Sequence, residues 1–283
     1  MHLIRGKAKF LVIAGVLLVL VSIITYLSII NPNQRLRKIT ISEAQVLDNK
    51  IGQNVVPEDL KFIHEETYRE VTIVWTDKQV IPAERLKWLK AAIDKLPPFF
   101  IKDHPVTKIV SATCTELKLT GDYLKTCGMA DAFADGTKII IGAWSLIDLP
   151  SFMPPATQEG MTYRLFHEWM HVVQYYEALQ TFKPNYLFKN GAHFPNVLTP
   201  FMREFGKSVG WKFNSDQSTG QWTASLNPDN ESQKTTEYGK ASPSEDMAET
   251  AAFFMTCQSD KISAARISWM EKITKTKAAD YCK

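Results

Sequence analysis

The chain has 283 residues, enough for one substantial domain with appendages or for two small ones. Its 45% apolar and 22% charged side chains exclude an intrinsically disordered protein. The formal charge of +3 conceals a division: Arg5, Lys7, Lys9, Arg35, Arg37 and Lys38 stand in 1–38 without an acidic residue, leaving 27 basic against 30 acidic side chains on 39–283. A nucleic-acid binder keeps its basic excess on the folded part, so this balance argues against that class.

Residues 1–9 read as a short cytoplasmic tail. Phe10 to Ile30 is a run of 21 uncharged residues dominated by Leu, Val and Ile. As a helix it spans about 31 Å, enough for the hydrocarbon core of a bilayer. The exit, Tyr26 to Pro32, offers no small-x-small cleavage site, so the expectation is an uncleaved transmembrane anchor, with a cleaved signal peptide as the alternative. Residues 31–38 then form a basic juxtamembrane linker touching lipid headgroups.

Three Lys/Arg flank each side of the anchor, so the charge rule does not orient it. The four cysteines do. Cys114, Cys127, Cys257 and Cys282 all follow the anchor, and pairing 114 with 127 and 257 with 282 closes two small loops, although three connectivities are open. Disulfides need an oxidising compartment, which places 39–283 outside the cytoplasm and the N-terminus inside. The alternative is four reduced, packed thiols in a cytosolic domain. None has C-x-x-C or Cys-His spacing, which argues against a zinc knuckle.

Ile39, Ile41 and Val46 hint at a first strand. Glu70 to Thr76 is a stronger one, β-branched and bounded by charge. Pro82 opens a helix in which Leu86, Leu89, Ile93 and Leu96 recur on one face, and Pro97-Pro98 stops it. Thr107–Thr113 and Thr137–Trp144 read as two further strands, with turns at Thr120-Gly121-Asp122 and Asp135-Gly136. The second of these strands either pairs with an extended ligand or is an ordinary interior strand.

Beyond Pro150, Pro154 and Pro155, a helix is expected from near Thr157 or Gln158 to near Leu179. It carries His167-Glu168-Trp169-Met170-His171, which reads H-E-x-x-H. Residues four apart lie one turn above each other, so both imidazoles reach one metal ion, while Glu168 leans toward the open coordination position. The competing reading is an amphipathic helix whose polar stripe happens to contain two His. Leu165, Phe166, Trp169, Met170, Val172, Val173 and Tyr176 surround that stripe, so the helix is expected to be buried. Burying His167, Glu168 and His171 is costly unless they are paired or metal-bound.

Leu198–Val209 suggests a short helix, and Asn214–Thr236 a polar surface loop or hairpin over the site. Asn230-Glu231-Ser232 matches an N-glycosylation acceptor. His64, His104 and His193 are isolated, and are read as solvent-exposed side chains rather than substrate contacts.

Ser242, with Glu245 three residues on, forms a capping box, and Pro243 takes the first helical position. A second helix therefore starts here, with Glu245 and Glu249 on one face. One of them can bind the metal and the other hydrogen-bond a ligating His. The alternatives are a purely capping role for Glu245 and a solvated surface position for Glu249.

H-E-x-x-H followed by a helix with E-x-x-x-E resembles the gluzincin metallopeptidases. Tyr238, then Glu245 seven residues later, then Ala248-Glu249, is similar to the anthrax-lethal-factor-like branch, including the bacterial Pro-Pro endopeptidases. The resemblance covers roughly 137–256, and the interval from His171 to Glu245 is longer than that branch leads one to expect. It implies a zincin-like domain, with a mixed sheet, an active-site helix and a third-ligand helix. It also implies Zn2+ held by His167, His171 and Glu245, Glu168 as general base, Tyr238 as oxyanion donor and Glu249 behind a ligating His.

The expectation is thus an α+β zinc metallopeptidase domain (39–283) behind one transmembrane helix, anchored in the bilayer through 10–30. It would hydrolyse peptide or protein substrates with zinc-bound water. Two other readings remain: a catalytically inactive zincin-fold scaffold, and a zinc amide hydrolase acting on a non-protein cell-wall substrate.

Overall fold

The computed structural model describes residues 55–117, 119, 132–142, 157–181, 198–215, 222–226 and 235–283, all within the compact unit Ile39–Lys283. The expected anchor at 10–30, the strand near Ile39, Cys127, His193 and the acceptor at Asn230 lie outside these residues. No helix among the described residues is long and apolar enough to cross a membrane.

The expected α+β class is borne out, with a mixed five-stranded sheet. Its strands are β1 (His64–Tyr68), β2 (Val71–Trp75), β3 (Lys108–Ser111), β4 (Ala132–Asp135) and β5 (Lys138–Ile141), in the order β1-β2-β3-β5-β4. The central pairs β2/β3 and β3/β5 are parallel, and the outer pairs are antiparallel hairpins. A parallel pair needs a crossover, and helix α1 (Ala83–Asp94) lies between β2 and β3, entered at Pro82 as expected.

β1 and β4 were not foreseen. β1 is His-Glu-Glu-Thr-Tyr, short of β-branched residues, and its turn to β2 uses Arg69 and Glu70, both at positive φ (47° and 71°) without a glycine to announce it. The β4–β5 turn does carry its signal, since Gly136 sits at φ 60°, the left-handed backbone that a two-residue hairpin requires. β5 lies between β3 and β4 and its ladder is filled on both sides. It is therefore an interior strand, and β4 is the edge among the described residues.

Period-2 alternation divides the central strands between two cores. Ile73, Ile109, Ile139 and Ile141 face the helices, whereas Val74, Val110 and Ile140 face a smaller cluster with Val56, Leu117 and Leu119. Helix α2 (Gln158–Thr181) runs through the larger core, and Phe166, Trp169, Met170, Val172 and Val173 are fully buried on it.

Among the described residues, the long interval before Glu245 holds α3 (Pro200–Ser208) and a hairpin of β6 (Trp211–Ser215) and β7 (Trp222–Leu226). The polar stretch is therefore partly a hairpin, and its first strand begins earlier than expected. Gly206 on α3 admits it: a Cβ there would stand 2.3 Å from the Phe213 ring.

Helix α4 (Pro243–Met255) packs along α2 and is buried on almost every side. Met247 and Phe254 are sealed from solvent, each contributing roughly 1.5–3 kcal/mol by burial. Helices α5 (Ala264–Thr274) and α6 (Ala278–Tyr281) close the chain, and the Cys257–Cys282 disulfide ties α6 back to the end of α4. That link closes a separation of 25 residues, a loop-closure stabilisation of about 3.5 kcal/mol. Cys114 is also disulfide-bonded.

Asp246, in the first turn of α4, forms a fork with Arg266 of α5 (Nε–Oδ1 2.9 Å, Nη2–Oδ2 2.6 Å), and both side chains are fully buried. Trp211 Nε1 and Thr235 Oγ1 donate to the same carboxylate at 2.8 and 2.7 Å. One aspartate thus fastens α4 to α5, to the hairpin and to the segment before α4. Removing one partner of a buried, bidentate pair strands the other charge. Arg266→Ala should lower stability by roughly 3–5 kcal/mol in urea denaturation; a loss below about 0.5 kcal/mol, the range of an ordinary surface change, would contradict this role.

Candidate metal centre

The spacing of four puts His167 and His171 one turn apart on α2, with Nε2 atoms 3.2 Å from each other. Ser242 caps α4 by accepting the Glu245 backbone N–H at 3.1 Å. The Glu245 carboxylate does not turn back to complete a capping box. Its Oε2 faces the imidazoles instead, 3.2 Å from His167 Nε2 and 3.3 Å from His171 Nε2. It is buried there without a well-directed hydrogen bond. Among the described residues, His167, His171 and Glu245 form a group that could hold a metal ion.

Both imidazoles are held from behind. Glu249 Oε1 lies 3.0 Å from His167 Nδ1, so Glu249 is a buried partner of a candidate ligand and not a solvated surface residue. Its other oxygen accepts from Thr236 Oγ1 at 2.6 Å, and Tyr163, one turn before His167, also donates to it. Gln174 Oε1 lies 3.0 Å from His171 Nδ1. A carboxylate and a carboxamide oxygen only accept, so both Nδ1 atoms carry the proton. In neutral imidazoles, both Nε2 lone pairs then point at each other and at Glu245.

Three electron-rich atoms facing one point in a buried site repel unless a cation lies among them. Burial opposes charge on His167, but the adjoining carboxylates of Glu245 and Glu249, with the charge of Glu168, push its pKa up to about 10. His171 is raised as well, against burial, chiefly by Glu245. Burial disfavours the Glu245 charge, yet His171 and His167 hold it well below the usual carboxylate range. Glu249 is lowered, because the bonds from His167, Thr236 and Tyr163 outweigh burial.

Glu168 departs in the other direction. Burial raises its pKa, the imidazoles and the Ala134 backbone N–H opposing, and Glu245 adding to the rise. That N–H belongs to edge strand β4, so the sheet holds the carboxyl beside the imidazoles. Tyr238 stands at the mouth, 57% exposed, its ring centre 5.7 Å from that of His167. Burial of its hydroxyl and the nearby charges of Glu245 and Glu168 raise its pKa.

The structure therefore brings together every residue the sequence nominated here: His167, Glu168, His171, Tyr238, Glu245 and Glu249. Gln174, Ser244, Thr236 and Tyr163 were missed, because a polar residue outside a motif does not announce its partner. His104 is not an exposed histidine. It is buried, 2.9 Å from the Phe99 carbonyl and 3.3 Å from Glu177, so its place is structural. His64 stacks on Trp75 with ring centres 3.6 Å apart. A cavity of about 620 Å³ between Lys95, Gln158, Met255 and the Cys257–Cys282 bridge contains none of the site residues.

No protein-family model matches the chain, and no curated protein matches its sequence.

A metal ion needs bare Nε2 atoms, whereas a His167 with its pKa pushed up to about 10 is protonated at neutral pH. Loading therefore displaces protons, and apparent affinity rises with pH up to about that value. Calorimetric titration of the metal-free full-length chain at pH 7, in buffers of different ionisation enthalpy, should show at least about one proton released per ion. Heats independent of the buffer would contradict it.

Proposed function

We propose that this chain is a membrane-anchored, extracytoplasmic zinc-dependent endopeptidase of the gluzincin type. The observation carrying this reading is the triangle of His167 Nε2, His171 Nε2 and Glu245 Oε2, with sides of 3.2, 3.2 and 3.3 Å. A tetrahedral zinc with arms of about 2.0–2.1 Å has ligand atoms about 3.3–3.4 Å apart. The donor set, two imidazoles and one carboxylate, is one that zinc takes in catalytic sites while keeping a fourth position open. The H-E-x-x-H pattern and its likeness to the lethal-factor-like branch support the same conclusion, and the apolar run at 10–30 supports the anchor.

When bound, the ion would supply Lewis acidity, polarising the scissile carbonyl and lowering the pKa of a water toward about 7. Every other part of the chemistry falls to side chains. Glu168 takes the proton of the attacking water and returns it to the leaving amine. Its buried setting, which raises its pKa, brings the carboxyl nearer the operating pH, where proton transfer is most effective in both directions. Tyr238 is exposed on one side and near Glu245 and Glu168 on the other. In this reading its hydroxyl would donate to the oxyanion that forms as the carbonyl is attacked, a contribution on the order of 3 kcal/mol. Glu249 accepts from His167 Nδ1 and so keeps Nε2 free for ligation.

Glu168→Gln tests the reaction. The amide keeps the size of the side chain and cannot take the proton. The variant should hold metal as wild type does and lose at least about 100-fold in peptide turnover, the scale of general-base catalysis. Unchanged proteolysis by Glu168→Gln would overturn the assignment. Wild type with full metal and no turnover on any peptide library would instead favour a scaffold or a different amide substrate.

A further inference from the structure

Gln174 lies one turn beyond His171 on α2, is buried, and belongs to no recognised motif. Its carboxamide makes three contacts. Oε1 is 3.0 Å from His171 Nδ1 and accepts from Ser244 Oγ at 2.6 Å. Nε2 donates to the Ser244 carbonyl at 2.9 Å. Ser244 has no solvent exposure and immediately precedes Glu245.

A carboxamide can be turned end for end, and the two orientations have opposite consequences for His171. Here the Ser244 carbonyl decides between them. A backbone carbonyl only accepts, so the amide nitrogen must face it, and the oxygen must face His171. An oxygen in that place requires a proton on His171 Nδ1, which leaves Nε2 as the metal-facing atom. With the amide reversed, the nitrogen would donate to Nδ1 and push the imidazole proton onto Nε2, toward His167 and Glu245. We propose that Gln174 is a positioning residue of the metal centre. Clamped by Ser244, it sets the His171 tautomer and ring orientation, and it joins that ligand to the turn of α4 that presents Glu245.

The two histidines are thus supported unequally. His167 leans on a carboxylate, and His171 on a neutral amide. Glu168, Glu245 and Glu249 already place three carboxylates around the site. An amide orients the second imidazole without adding a fourth negative charge to a buried cluster, where like charges are costly. The proposal rests on the metal-centre reading and adds to it a residue on which ligation depends.

Metal affinity of the full-length chain, measured by competition with a chromophoric zinc chelator, tests this, with thermal melting of each metal-free variant alongside. Gln174→Ala removes the acceptor and should weaken zinc binding by about 10–100-fold, the range for the loss of such a partner. Gln174→Glu keeps an acceptor toward His171 but loses the donor to the Ser244 carbonyl. It should melt lower and yet hold zinc within about threefold of wild type. A residue that only joins two helices would not separate affinity from stability in this way. Should Gln174→Ala fail to fold, Ser244→Ala carries the test: it removes the hydroxyl that holds Oε1 and leaves the carbonyl that orients the amide, so the clamp is loosened and zinc affinity should fall by about three-fold or more. Equal affinity for wild type, Gln174→Ala and Ser244→Ala overturns the proposal alone, whereas a wild type that binds no zinc overturns it together with the metal-centre reading.

Discussion

Two imidazole nitrogens and a carboxylate oxygen are held within 3.2–3.3 Å of one another, inside a protein where polar groups are expensive to bury. In water such atoms would separate and solvate. Here they cannot, because two packed helices hold them. The imidazoles stand on α2, whose surroundings are almost wholly apolar, and the carboxylate stands in the first turn of α4, which packs along it. The repulsion among three lone pairs is offset only by a positive charge at their centre. The same proximity pushes the His167 pKa up to about 10 and holds the Glu245 carboxyl well below the usual carboxylate range.

Much of the remaining structure keeps those two helices in register. Asp246 is the neighbour of Glu245 and points the other way, into a buried fork with Arg266 that also gathers Trp211 and Thr235. A buried ion pair is weak evidence for stability in itself, since desolvation consumes most of its attraction. Its value here is directional, because it fixes the rotation of α4, and hence which side chains of that helix face α2. On the α2 side, the Trp169 indole donates to the His104 carbonyl and the Tyr176 hydroxyl to the Pro105 carbonyl. These bonds anchor the helix to the segment that leads into β3. The edge strand β4 adds the last constraint by donating the Ala134 N–H to Glu168. A small displacement of either helix would be felt directly in the triangle of ligand atoms.

Legibility in the sequence followed the range of the interactions. Helix α2 was visible because its signals are local: a long apolar periodicity and two histidines one turn apart. The start of α4 was visible for the same reason, since Ser242, Pro243 and Glu245 are capping chemistry within four residues. Strand β5 was visible by its isoleucines, but its place between β3 and β4 was not, because pairing partners leave no mark in a single strand. β1 was hidden by polar residues that tolerate an edge, and its turn by the absence of glycine. Gln174 and Asp246 were unreadable for a different reason. Their partners lie 70 and 20 residues away, and an amide or carboxylate looks the same on paper whether it faces water or a buried serine. The reading of His104 as exposed failed on the same ground: isolation in sequence says nothing about Glu177, 73 residues on.

Whether His167, His171 and Glu245 together ligate one zinc ion, as proposed, is decided by anomalous scattering across the zinc edge from crystals of the zinc-loaded protein. One ion bound to His167 Nε2, His171 Nε2 and a Glu245 oxygen at about 2.0–2.2 Å, with Glu249 on His167 Nδ1, is the result this account predicts. An ion ligated by Glu249 in place of Glu245, or no ion between the two helices, would contradict it.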